Sequence, residues 1–155
     1  MMTHAPCRRI LLLAAAAAAF ACSGTPADPV EQLRTEMESA AEARDAERFA
    51  ERLSESFHGP RGLTRAEALA TLRRYFAAYE SVGLEVYGVE VDRDAATAEV
   101  RCVVEFAGRA RQLAGLQGLL PPAAVYRFEL GVAEENGVWR VGGASWEQVQ
   151  PDVAP

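Results

Sequence analysis

The chain has 155 residues with 16 basic against 22 acidic groups, a formal net charge of −6, and every basic residue is arginine. An acidic chain with scattered arginines has no electrostatic footprint for nucleic acid or for an anionic membrane surface. Its three cysteines form no CxxC and no Cys/His cluster, which excludes a structural zinc site, and no metal or cofactor is expected.

Residues 1–21 have the layout of a secretory signal peptide. Arg8 and Arg9 supply the positive head, Ile10 to Phe20 the apolar middle, and Ala19 and Ala21 the small-residue exit. A membrane-crossing helix needs about 20 apolar residues, roughly twice this run, so the segment reads as a signal and not as a span. Cys22, directly after Ala21, resembles the bacterial lipobox, in which the thiol takes a diacylglycerol and becomes the first mature residue; Ala19 departs from the leucine usual at its place. That resemblance implies a lipoprotein anchored through Cys22, and Ser23 after it implies an outer-membrane location facing the periplasm. Cleavage at the same bond without lipid would instead give a soluble periplasmic protein.

Residues 22–27 make the lipidated cysteine and a short polar linker, and a single domain is expected over residues 28–150. With Cys7 in the signal and Cys22 in the anchor, Cys102 has no partner for an intradomain disulfide. Asp28, Pro29 and Glu31 read as an N-cap, a first-turn proline and the acid of a capping box; Val30, Leu33, Met37, Ala40 and Ala41 follow at helical spacing. A second helix start at Asp45 carries Phe49, Leu53 and Phe57 on one face. His58 to Gly62 is a loop by its breakers, and Thr64 with Glu67 opens a third helix bearing Leu69, Leu72, Tyr75, Phe76 and Tyr79. From Leu84 the period becomes two. Leu84 to Val91 reads as a strand bulged at Gly88, where the apolar phase slips from Leu84/Val86 to Val89/Val91. Ala98 to Phe106 and Tyr126 to Val132 alternate as half-buried strands, and Asn136-Gly137 marks a hairpin into Val138–Val141. Helices first and a meander after predict an α+β fold with N-terminal helices packed on one face of a strongly curved antiparallel sheet.

The capped helix ending in Tyr75-Phe76, the bent sheet, and its closure on Gly137-Val138-Trp139-Arg140-Val141 and Trp146 resemble the nuclear transport factor 2-like (cystatin-like) superfamily, over about Asp28 to Gln148. More narrowly, Gly115 to Pro121 with Tyr126 and the Trp139 hairpin is similar to uncharacterised bacterial envelope proteins of that superfamily. The resemblance implies a cone whose mouth the helices close. It leaves function open, because this fold hosts isomerases, dehydratases, cyclases and binding modules.

Enzymes of the superfamily place an Asp, His or Tyr inside the cone. The inward positions of the two clearest strands here are Ala98, Val100, Cys102, Val104 and Phe106, then Tyr126, Phe128, Leu130 and Val132, with no carboxylate and no histidine among them. His58 is either a base overhanging the cone or a loop residue; Cys102 is either a nucleophile or a small buried apolar residue. Tyr75, Tyr79, Tyr126, Trp139 and Trp146 are candidates for a ligand pocket and equally for plain core. Gly108 to Pro122, with Leu113, Leu116, Leu119 and Leu120, is a long apolar connection: a lid, a protein contact or satellite core. The leading expectation is a non-catalytic domain holding a small apolar ligand. A homodimer or envelope docking protein is the alternative, and an acid–base enzyme the least favoured.

Overall fold

The computed structural model describes residues 27–111 and 123–150, so Cys22 and the signal lie outside the described residues. Helix α1 runs Pro29–Glu42. The Asp28 carboxylate accepts from the Val30 amide at 2.8 Å and the Glu31 amide at 3.3 Å. The expected capping box does not close there, because Glu31 bonds Arg34 instead. The chain turns at Arg44, whose φ is 57°, and Asp45 caps the short helix α2, Ala46–Ala50, by accepting from the Arg48 amide at 2.9 Å.

The helix expected to continue through Leu53 and Phe57 ends at Ala50, and Leu53–His58 is strand β1. Leu53 and Phe57 are four apart, as on a helix face, but Ser54 Oγ accepts from the Ser56 amide, a local bond that competes with helical ones. The strand pairs in parallel with the last strand, Leu53 opposite Val141 and His58 opposite Gly143. A single 3₁₀ turn, Pro60–Gly62, then leads to helix α3, Arg65–Ala78, where the Thr64–Glu67 capping box forms in full.

Tyr79 is not part of α3. It opens strand β2, Tyr79–Arg93, which is longer at both ends than the expected Leu84–Val91. Strands β3 (Thr97–Ala110), β4 (Ala123–Glu135) and β5 (Val138–Val149) complete a five-stranded sheet in the order β1-β5-β4-β3-β2, antiparallel except for β1. The long connection is therefore shorter than read: Gly108, Arg109 and Ala110 pair with β2. Gly88 sits at φ 61° where the β2–β3 register shifts, as the slipped apolar phase predicts. Asn136 and Gly137, at φ 54° and 79°, make the β4–β5 turn. The fold is α+β, with the helices on the concave face of a curved sheet.

Helix α1 lies along β2 and is tied to it at both ends. The Arg44 guanidinium donates to the Tyr79 carbonyl at 2.9 Å, and Arg93 donates to Asp28 at 2.5 Å. Two buried clusters form. One packs Val30 and Leu33 of α1 on Val100, Val132 and Val141 with Leu53 and Phe57; the other gathers Ala41, Phe76 and Val82 around Tyr79. Among the described residues no helix is long and apolar enough to cross a membrane.

Candidate functional site

Between the helices and the concave sheet lies a cavity of about 580 Å³. The sheet supplies Val100, Cys102, Val104 and Phe106 from β3, Tyr126, Phe128, Leu130 and Val132 from β4, and Trp146 from β5. The inward register read from alternation therefore holds. Because of the Gly88 bulge, Leu84, Val86, Val89 and Val91 of β2 all reach the same wall. Leu33 and Met37 of α1 with Leu72, Tyr75 and Phe76 of α3 form the opposite side.

Of the seven residues considered for a pocket, Tyr75, Cys102, Tyr126 and Trp146 line this cavity; His58, Tyr79 and Trp139 do not. At the end of β1 Phe57 is buried inward and the next residue, His58, faces the other way and is exposed. Its ring lies over Gly143, where a Cβ would come within 3.0 Å of Nε2. Tyr79 is 0 % exposed behind Tyr75, the two rings stacked with centroids 5.3 Å apart. Trp139 packs on the first core cluster, with the Arg93 guanidinium 5.5 Å from its ring centre. Leu113, Leu116, Leu119 and Leu120 lie outside the described residues.

Alternation in the strands could not find the polar part of the wall, which comes from helices. Glu31, Arg34 and Glu38 of α1 and Thr71 of α3 also line the cavity. Glu31, Arg34 and Glu38 each follow one of the apolar positions Val30, Leu33 and Met37, so a helical projection carries the signal. The Arg34 guanidinium is held between the two acids: its Nε donates to Glu31 at 3.0 Å, and it bonds Glu38 as well. The Arg34 bond holds the Glu31 carboxyl below its ordinary range, and the same contacts raise the guanidinium further. A carboxylate so engaged is a weak proton acceptor, and an arginine so engaged is not free to hold an anion.

Three tyrosine and thiol groups complete the picture. Burial, then a hydrogen bond with Tyr75, pushes the Tyr79 phenol up to about 12. Burial, then Tyr75, also raises Tyr126. Burial raises the Cys102 thiol as well, with Arg34 pulling the other way. All three groups therefore stay protonated near neutrality. Cys102 is no thiolate nucleophile, and the phenols are neutral hydrogen-bond donors.

No family model and no curated protein matches this chain. Solved structures do. A candidate scytalone dehydratase from Novosphingobium aromaticivorans aligns at TM-score 0.67 and 16% identity, over 79% of this chain and 83% of that one. A candidate dehydratase of the nuclear transport factor 2-like family from Streptomyces avermitilis aligns at TM-score 0.65 and 16% identity, over 79% and 96%. An uncharacterised protein with a cystatin-like fold from Caulobacter vibrioides aligns at TM-score 0.64 and 20% identity, over 83% and 93%. At such identities the likeness speaks to architecture: the chain has the nuclear transport factor 2-like, cystatin-like fold.

Proposed function

We propose that this protein binds a small apolar molecule in its cone without transforming it, and that a lipid on Cys22 holds it at the outer membrane, facing the periplasm. The observation that carries the binding reading is the cavity itself. About 580 Å³ of space with an apolar wall and few polar groups is the form of a small-molecule site. Its ionic groups are all engaged, Glu31 and Glu38 by Arg34 and Asp28 by Arg93, which supports binding over acid–base chemistry. The anchor reading rests on the lipobox resemblance at Ala21-Cys22.

Native mass spectrometry of the mature protein, purified from the cell envelope, tests both parts. The expected spectrum has an acyl-bearing Cys22 and a further mass that leaves the monomer on denaturation. A free Cys22 overturns the anchor. A protein carrying nothing, and taking up no apolar probe, overturns the binding.

A second reading, contact with another copy, is favoured by the edge of the sheet, where among the described residues β2 pairs with β3 alone. There Tyr87, Val89 and Val91 of β2 are 44 %, 41 % and 45 % exposed. The same spectrum would then report a bare dimer.

A further inference from the structure

The rings in the cavity wall are not scattered. Tyr126, Phe128 and Trp146 stand on one face of β4 and β5, Phe128 directly opposite Trp146, with centroids 6.2 Å apart for the first pair and 5.9 Å for the second. Phe106 of β3 lines the same wall, and Tyr75 of α3 meets it edge-on at 6.0 Å. Side-chain rings in such rows offer flat, polarisable faces to a planar guest. Away from them the wall turns aliphatic, with Val100, Leu130 and Val132.

One polar group in this row is unspent. Among the described residues nothing hydrogen-bonds the Tyr126 hydroxyl, which feels only burial and the charge of Tyr75, whereas the Tyr79 phenol is engaged by Tyr75. Tyr126 lines the cavity, and no side-chain oxygen among the described residues is sealed away without a partner, so the Tyr126 hydroxyl is open to a guest. Charge narrows the guest further. The wall's cation, Arg34, already bonds two carboxylates and leaves an anionic guest nothing to pair with.

We infer that the cavity takes a neutral, planar aromatic molecule bearing a hydrogen-bond acceptor, its rings along Tyr126, Phe128 and Trp146 and its acceptor on the Tyr126 hydroxyl. The inference rests on ligand binding in the cone and names the class of ligand. Acceptors of this class are aryl ketones, quinones and aryl ethers. Tyr126 is the residue that selects among guests of equal shape.

The test titrates the mature protein with three probes: acetylnaphthalene, ethylnaphthalene and dodecanol. Binding is read by isothermal titration calorimetry, since the emissions of Trp146 in the cavity wall and of Trp139 outside it overlap. Acetyl- and ethylnaphthalene match in shape and differ in the carbonyl, so the wild-type protein alone measures the hydrogen bond. One neutral hydrogen bond predicts roughly a three- to tenfold preference for the ketone. Tyr126→Phe should bring the ketone down to the hydrocarbon's affinity. Equal wild-type affinities for the two naphthalenes, or a preference that survives in Y126F, overturns the role of Tyr126. Dodecanol bound more tightly than both naphthalenes overturns the aromatic class while leaving ligand binding in the cone intact. Failure of all three probes removes the binding function itself.

Discussion

At Gly108 the Tyr79 and Phe106 rings come so close that a Cβ would sit 2.6 Å and 2.7 Å from them. Both neighbours are ring atoms in a packed cluster, and Tyr79 is 0 % exposed, so neither swings aside freely. Gly108→Ala is therefore expected to cost about 1–3 kcal/mol, the usual range for overpacking a core. The control is Gly83→Ala in the neighbouring strand, where the nearest atom is a backbone oxygen at an ordinary 3.7 Å. Urea unfolding of the two variants checks this; equal losses would mean the Gly108 gap is not what seats Tyr79. In the sequence Gly108 reads as the start of a loop, because nothing local announces a tyrosine from another strand lying over it. The same limit explains His58, Tyr79 and Trp139. Each is aromatic and near the cone in sequence order, but facing depends on where a strand starts, and that depends on its partner. Cys102 and Tyr126 were legible as inward-facing because each belongs to an alternating run, Ala98 to Phe106 and Tyr126 to Val132.

Elements whose ends are written locally were read correctly. Helices α1 and α3 begin at Asp28 and Thr64 because those side chains satisfy the first free amides. The Gly88 bulge was visible as a slip in apolar phase, and the β4–β5 turn as Asn136-Gly137. Strand β1 was not visible. Six residues with two serines and with Leu53 and Phe57 four apart carry no alternation, and their ladder partner is β5 at the far end of the chain. Asp28 is the element-scale test, since it both caps α1 and ties it to Arg93. The ion pair is largely exposed, and such pairs contribute little, so the cap should dominate. Asp28→Ala is expected to lower stability by about 1 kcal/mol. Asp28→Asn, which keeps a capping oxygen and loses the charge, should retain most of it. Chemical denaturation that finds the two variants equally damaged would transfer the weight to Arg93.

For the molecule as a whole, the fold class was legible in the order of periods, helical first and then two, while the cavity was not. Whether a cone is open or filled is a small difference between the volume the backbone encloses and the volume its side chains occupy, and no pattern of residues states it. Here the two buried clusters both border the cavity, one built around Leu33, Val100 and Val141 and the other around Phe76 and Tyr79. Contacts that would cross that space in a filled core are missing, so a guest that fits the wall restores them and stabilises the native state alone. The gain follows from mass action: at a hundredfold excess over its dissociation constant a ligand adds about 2.7 kcal/mol. For a domain of this size that corresponds to a rise of roughly 5–10 °C in Tm. Protein purified from the envelope with its guest should therefore melt higher than the same protein unfolded in urea, dialysed and refolded. Adding back the organic extract of the first sample should restore the difference. Identical melting curves before and after stripping would mean that the cone is empty in the cell, and would turn attention to the exposed edge at Tyr87, Val89 and Val91.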